Sequence, residues 1–376
     1  ATRGTSPAGG DSTETEAPDT DSAPPSPVQE LSVVDSCLVP EVPETHPAFE
    51  VPKLEAVATV EPEMPVEPEM QATMVEVKVS QAKTPTFCLQ SGAHRLSKPS
   101  GRCEDAFFYS RQAAGVADGV GQMEQFAEYG VDAAAYSDDL MCLAAREVHR
   151  LAPGESRAAA ALAAAEVGAR TYGASTALVL SLEGEAVHVA NLGDSGFMHL
   201  RLRAWGMEIL QTSREQTHGW NCPYQFTRVP EALFKDSGIS FDSAADCEKY
   251  ELQVETGDLL LLFTDGLTDN LHWHEVVRAV DEVVERLPGG RVPPQEIAQA
   301  LAEKAEKRSH DTKANTPFAQ SARRNRLHFP GGKEDDITVV AAWIQNEEAG
   351  SSEMDVTMGT LEKASATKTC AMSTSG

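Results

Sequence analysis

The chain lacks three things that would each fix its class at once: a paired-cysteine framework, a long apolar run and a clustered basic face. Its seven cysteines, Cys37, Cys88, Cys103, Cys142, Cys222, Cys247 and Cys370, are odd in number and scattered, with no Cys-x-x-Cys pair. That excludes a disulfide scaffold and a zinc site, and points to free thiols in a reducing compartment. The run Leu259 to Phe263 is far too short to cross a bilayer, so no membrane span is expected. Lysine and arginine number 31 against 58 aspartates and glutamates, a formal net charge of -27. Nucleic acid needs a basic surface to neutralise its phosphates, so it is excluded as a partner.

What the chain has is enough apolar sequence for a large core, 41% of 376 residues, unevenly spread. Residues 1–85 carry sixteen acidic against four basic residues and thirteen of the 22 prolines. Such a stretch cannot close a core and its prolines remove backbone donors, so a disordered acidic, Pro-rich tail is expected there. Residues 346–376 turn to Ser, Thr, Glu and Met without periodicity and are expected to form a second disordered tail. One folded domain over 86–345 remains. The chain begins Ala-Thr-Arg rather than with Met, as a processed form or a fragment would.

Within that domain, Ser175–Leu182 and Ala186–Asn191 flank the turn Glu183-Gly184-Glu185 and read as a hairpin. Leu259–Phe263 and Ile337–Ile344 read as buried strands, and Ala113–Ala117 as a strand leading into Asp118-Gly119. Valines 276, 280 and 284 recur after His274, and Ile297, Leu301 and Ala305 after Pro294, each giving one helix an apolar stripe. Arg157–Ala169 is alanine-rich behind a candidate N-cap at Ser156, and Asp132–Leu151 is a fourth helix. Hairpin-linked strands with inserted helices predict an α+β fold of antiparallel sheets covered by helices.

Acidic residues sit at the ends of these strand-like runs: Glu104-Asp105, Asp118, Asp194, Asp265 with Asp269, and Asp335-Asp336. Each alone reads as a turn residue. Together they repel one another unless a cation stands between them, and an oxygen-only set suits Mg²⁺ or Mn²⁺. That chemistry suggests metal-assisted hydrolysis. Gly193-Asp194-Ser195-Gly196 resembles a serine-protease nucleophile motif, but Phe197 stands where another glycine would follow. His272-Trp273-His274 reads as a helix start whose imidazoles point to different faces.

Read in order, Gly101-x-x-Glu104-Asp105-Ala106-Phe107-Phe108, Gly115-Val116-Ala117-Asp118-Gly119-Val120-Gly121, Gly173-Ala174-Ser175-Thr176-Ala177, Ala190-Asn191-Leu192-Gly193-Asp194-Ser195-Gly196, Thr264-Asp265-Gly266-Leu267-x-Asp269-Asn270 and Asp335-Asp336-Ile337-Thr338-Val339 resemble the motif set of the metal-dependent protein serine/threonine phosphatases, type 2C. The wording of Glu128-Tyr129-Gly130, Asn221-x-Pro223-Tyr224-Gln225 and Thr316-Pro317-Phe318-Ala319 is similar to the organelle-associated branch, chloroplast or mitochondrial, with a cytoplasmic address left open. The resemblance implies a sandwich of two antiparallel sheets flanked by helices, with the metal site in a cleft at one end. It implies hydrolysis of phosphoserine and phosphothreonine in a protein substrate by a metal-activated water, using two Mn²⁺ or Mg²⁺ ions and a weaker third, in a monomer.

Carried over by the same resemblance, Asp118 bridges two metals, Asp265 and Asp335 complete one, Glu104 and the Gly119 carbonyl complete the other, and Asp194 with Asp269 holds the third. Asp105 orients water, which makes Asp118, Asp265 and Asp105 the catalytic set. Two departures stand out. Ser100 occupies the position where many members have a phosphate-gripping arginine, leaving Arg102 or Lys98 as substitutes or the metals to hold the phosphate alone, and Val120 occupies the position of the general-acid histidine, leaving metal-bound water or another group, with His218 as a candidate. A pseudophosphatase binding module and a hydrolase of small phosphate esters are the alternatives, and loops such as 213–229 would set the substrate.

Overall fold

The computed structural model describes residues 87–99, 101–234, 241–286, 292–347, 355–359 and 368–370. The expected tail over 1–85, and Ser100, lie outside the described residues. In chain order the strands are β1 (Phe87–Leu96), β2 (Ala106–Tyr109), β3 (Ala113–Ala117), β4 (Gly173–Ser175), β5 (Ala177–Glu183), β6 (Ala186–Leu192), β7 (Gly196–Arg203), β8 (Gly206–Thr212), β9 (Thr217–Gly219), β10 (Cys222–Pro223), β11 (Phe226–Arg228), β12 (Glu248–Gln253), β13 (Leu259–Phe263), β14 (Ile337–Asn346), β15 (Val356–Gly359) and β16 (Lys368–Cys370). The helices are α1 (Ala133–Arg150), α2 (Arg157–Gly168), α3 (Asp265–Thr268), α4 (Trp273–Val284), α5 (Pro294–Ser309) and α6 (Pro317–Arg324).

Two large antiparallel sheets result, one in the order β1-β14-β13-β7-β8 and the other β12-β6-β5-β3-β2-β15-β16, with β10-β9 and β11-β4 as two-stranded pairs. Side chains alternate between faces along each strand, and the central strands are apolar on both. In β13, Leu260 and Leu262 meet Leu178, Leu180 and Val116 of the opposite sheet, while Leu259, Leu261 and Phe263 meet α4 and α5. Ala177 and Val179 of β5 face α1 and α2 in the same way. The layers are therefore helices, sheet, sheet, helices. Burying each leucine of β13 contributes about 1.5–3 kcal/mol, so the five-residue run anchors three of the four layers.

Local chemistry explains the helices. Asp132 caps α1 by accepting the Ala135 N–H at 2.9 Å, and Tyr136, Leu140, Met141, Ala144 and Val148 form its buried face. Ser156 precedes α2 as expected but makes no capping bond; packing of Ala158, Ala161, Leu162 and Ala165 holds that helix instead. Asp258, 1% exposed, lies just before β13 and ties it to β7 through His199 (2.8 Å) and Arg201 (2.7 and 2.8 Å). Burial alone would raise its pKa, but the bonds from Arg201 and His199 outweigh that and bring it down to about 2.

The expected disordered tail over 346–376 is corrected only where its residues are described, at β15 and β16; residues 348–354, 360–367 and 371–376 lie outside the described residues. β15 pairs with β2, placing Thr357 opposite Tyr109, and Val356 is buried against the α1–α2 layer. One buried valine followed by three partly buried residues is too weak a pattern to be read as a strand from sequence. No disulfide joins Cys88, Cys103, Cys142, Cys222 and Cys247, and no described helix is long and apolar enough to cross a membrane.

Candidate metal centre

The acidic residues come together at one end of the sandwich because each ends or precedes a strand there. Asp118 follows β3. Its backbone is fixed on both sides: the Asp118 N–H donates to the Thr176 hydroxyl (3.2 Å), and its carbonyl accepts from Thr176 N–H (2.9 Å) and the Ser175 hydroxyl (2.8 Å). Gly119 then runs against the preceding segment, its N–H donating to the Glu104 carbonyl at 3.1 Å. A Cβ at Gly119 would lie 2.7 Å from that oxygen, so only glycine permits the approach.

Asp336 works as a clasp. Its two carboxylate oxygens accept the backbone N–H groups of Lys98 (2.9 Å) and Glu104 (2.8 Å), fastening the segment before β2 to the start of β14. Asp105, 1% exposed, accepts the Thr264 hydroxyl at 2.9 Å through one oxygen, while its other oxygen is buried without a partner. Burial, then the neighbouring Asp336 charge, holds the Asp105 carboxyl well above the usual range. Asp265 opens α3 directly after β13, and Asp269 follows the same turn.

Two ammonium groups stand among these carboxylates. Lys98 Nζ is 2.5 Å from Glu104 Oε2, 3.7 Å from Asp336 and 3.9 Å from Asp335. Lys333 Nζ is 2.6 Å from Asp269, 2.7 Å from Asp265 and 3.0 Å from Asp335. Sequence reasoning missed Lys333, because a lysine in the run Gly331-Gly332-Lys333-Glu334-Asp335-Asp336 reads as a solvated charge balancing its neighbours. Of the two expected phosphate-gripping residues, Lys98 lines the cleft. Arg102 does not: its guanidinium, 52% exposed, is bonded to Asp132 at the start of α1.

The carboxylates respond to burial and to one another. Asp118 is pushed well above its ordinary pKa by burial and then by the charges of Asp105, Asp265, Asp335 and Asp194. Burial and the Asp265 charge push Asp194 up to about 8. Asp269 and Asp335 are also raised, first by burial, against the pull of Lys333. Only for Asp265 is burial outweighed, by the Lys333 ammonium, which holds the pKa down. Glu104 is raised by burial, which Lys98 only partly offsets.

These residues fit divalent cations. The donor set is all oxygen, one oxygen of Asp265 is buried without a hydrogen-bond partner, and burial, reinforced by mutual repulsion, keeps Asp118 and Asp194 from ionising readily. Among the described residues no three His, Cys, Asp or Glu side chains already close a metal site.

The cleft itself, a cavity of about 210 Å³, is lined by Asp118, Gly119, Asp194, Asp265 and Asp335 together with Lys98, Lys333, Val120, Thr176 and Asn221. Val120 thus presents an aliphatic side chain to it. His218, the candidate acid, is not among the lining residues; its ring stacks on Tyr224 at 4.1 Å and its Nε2 lies 2.9 Å from Asp242. Ser195 is buried with its hydroxyl 2.7 Å from Thr176, which disposes of the protease resemblance. A second cavity of about 390 Å³ shares Asp194 and Asp265 and extends over Trp220, Phe318, Arg324 and the two histidines His272 and His274. Those imidazoles do not diverge as expected. His272 is the N-cap of α4, outside helical geometry, and its ring stacks on that of His274 at 5.5 Å.

A family model described as stage II sporulation protein E (SpoIIE) matches residues 227–345. A Danio rerio protein named Protein phosphatase PTC7 homolog is 33% identical over 252 residues, covering 64% of this chain and 81% of the relative. Its Homo sapiens namesake gives 33%, 64% and 79%. The Arabidopsis thaliana Probable protein phosphatase 2C 55 is 34% identical over 261 residues, 68% of this chain and 52% of the relative. The chain spans about half the length of such plant relatives. Among solved structures, the photosystem II phosphatase PBCP aligns over 68% of this chain and 99% of its own with a TM-score of 0.56 at 24% identity, a likeness of fold.

Proposed function

The chain belongs to the type 2C, metal-dependent protein phosphatase family, and on that ground we propose that it hydrolyses phosphoserine and phosphothreonine in protein substrates with Mn²⁺ or Mg²⁺ held in the carboxylate cleft. The observation that carries the reading is the cleft lining: carboxylates from separate parts of the chain and two ammoniums, with neither cysteine nor histidine among them. A cysteine- or histidine-based phosphoenzyme has no nucleophile there. The Thr176 hydroxyl, tied to Asp118 and Ser195, is not free to act as one.

Asp118, Asp265, Asp335, Glu104 and the Gly119 carbonyl would hold the cations, which when bound polarise phosphoryl oxygens and lower the pKa of water. The chain's own residues position everything else. Asp336 fixes Glu104 and Lys98 by their backbones, and the Thr264 hydroxyl orients the Asp105 carboxylate. The Lys98 ammonium, in the cleft on a flexible stem, is placed to take a phosphate oxygen where Ser100 replaces the family arginine. Val120 offers no proton, so the leaving serine or threonine oxygen takes its proton from water rather than from an imidazole at that position.

The test is hydrolysis of phosphoserine, phosphothreonine and phosphotyrosine peptides with Mn²⁺, with Mg²⁺ and after chelation. Activity on the first two that needs added cation is expected. Full activity after exhaustive chelation would sink the reading.

A further inference from the structure

The geometry points to Lys333 as a permanent cation of the centre, standing in the place of a third divalent ion, so that the chain loads two divalent cations and no more. The inference rests on the metal-centre reading above and adds to it the number of ions and the residue that sets it.

An ammonium has three N–H donors, and Lys333 has three carboxylates within 3.0 Å of Nζ, those of Asp269, Asp265 and Asp335. Asp269 is one of the two carboxylates that a third ion would need, and the contact to it is the shortest of the three. The arrangement is built rather than incidental. Asn270, fully buried, accepts the Lys333 N–H at 3.0 Å and donates to the Lys333 carbonyl at 2.9 Å while also donating to Gly266 of α3 at 3.0 Å. The backbone of Lys333 is thereby fastened to the turn that carries Asp265 and Asp269. On its outer side the ammonium lies 5.0 Å from the face of the Phe318 ring, within reach of a cation–π contact, and its side chain is only 15% exposed.

Lys98 makes a useful contrast. It has one close carboxylate, Glu104, and two beyond 3.5 Å, and its backbone N–H is held by the Asp336 carboxylate. Its ammonium can leave when a cation or a phosphate enters. Lys333 takes one oxygen each of Asp265 and Asp335 and leaves the other oxygen of Asp265 without a hydrogen-bond partner, open to an ion shared with Asp118. A divalent ion added beside Asp269 would meet a fixed positive charge at close range, and the repulsion would exclude it.

The experiment is equilibrium dialysis of the full chain against Mn²⁺ followed by elemental analysis, on wild type, Lys333→Met and Lys333→Arg, with thermal unfolding of each in chelator. Wild type and Lys333→Arg should hold two Mn²⁺ per chain, and Lys333→Met should hold three at the same free Mn²⁺. In chelator, Lys333→Met should melt lower by roughly 5 °C, since three carboxylates lose their counter-ion, and Mn²⁺ should restore it. Three Mn²⁺ on the wild type, or the same count on wild type and Lys333→Met, overturns the role of Lys333. If Lys333→Met does not fold, the wild-type count alone decides. A wild type that binds no Mn²⁺ fails differently: it removes the metal-centre reading itself.

Discussion

Replacing Gly266 with alanine probes whether the approach of α3 to the Asp335–Asp336 segment sets the spacing of the site. A Cβ at that position would stand 2.0 Å from the Asp336 carbonyl oxygen and 3.0 Å from both its carbonyl carbon and Cγ1 of Ile337. Ordinary contact begins at 3.4 Å, so the two segments have to part by more than an ångström. Neither obstacle can swing aside, because one is backbone and Ile337 is 1% exposed in the layer under α4 and α5. Gly266 directly follows Asp265, and Asp336 directly follows Asp335, so the displacement reaches the pair of carboxylates that Lys333 bridges. Overpacking of this kind costs about 1–3 kcal/mol, and a shift of about 1 Å among reacting groups costs about 10²-fold in rate. Urea unfolding, calorimetric titration with Mn²⁺ and turnover of a phosphothreonine peptide read the three consequences separately. Stability, cation affinity and turnover should all fall. A Gly266→Ala protein that loses stability but keeps wild-type affinity and turnover would show that the clash is absorbed away from the carboxylates.

Asp118→Asn and Asp265→Asn should each lower turnover on the order of 10²-fold or more under saturating metal; wild-type turnover in either would remove that residue from the site. They should differ in chelator. Asp118→Asn relieves a carboxylate whose pKa burial and four neighbouring acids raise, so the metal-free protein gains stability at neutral pH, whereas Asp265→Asn deprives Lys333 of a partner and the protein loses it. Asp258 sets an acid limb. Its folded pKa of about 2 lies below the unfolded value of about 3.9, so its contribution, about 2 kcal/mol once solvent screening is allowed for, is complete above pH ~4 and is lost as pH falls through about 2. Asp258→Asn should therefore show a smaller loss of stability between those limits than wild type, and an identical loss would mean the carboxylate is not held by His199 and Arg201. Val120→His should raise turnover of phosphothreonine peptide by on the order of 10²-fold and of an aryl phosphate by less; equal effects would show that proton supply is already met by another group.

Legibility followed how far each residue's role depends on its neighbours in sequence. Leu259–Phe263 was readable as a strand because five consecutive buried leucine or phenylalanine side chains suit a strand packed on both faces. The stripes of α4 and α5 were readable because one face meets one layer. β1 was not: Phe87–Leu96 mixes Gln90, Ser91, His94 and Arg95 with apolar residues, because it is an edge strand with partly exposed positions. α6 was missed because its buried stripe, Phe318, Ala319 and Ala322, spans little more than one turn of an eight-residue helix, too short to be told from a loop. At the site, the carboxylates that line the cleft were legible through motifs, and so was Asn270, but Lys333 and the clamp that Asn270 puts on it were not, since those contacts run across the turn and no local pattern encodes them. Arg102 was misplaced for a related reason: two residues from Glu104 in sequence, its side chain runs outward to Asp132.

The clasp by which Asp336 holds the backbone of Glu104 joins residues 232 positions apart, and Asp118, Asp194, Asp265 and Asp335 are spread between them. No fragment of the domain can therefore assemble the centre. High contact order of this kind makes closure slow, since long loops must be ordered before their contacts compensate. Any ligand that bridges these segments binds only the finished topology and stabilises the whole of it by mass action, in proportion to the logarithm of its free concentration. Fluctuations in available cation would then be felt as changes in global unfolding and in the lifetime of the chain against proteolysis, well before they are felt as a loose loop at the cleft.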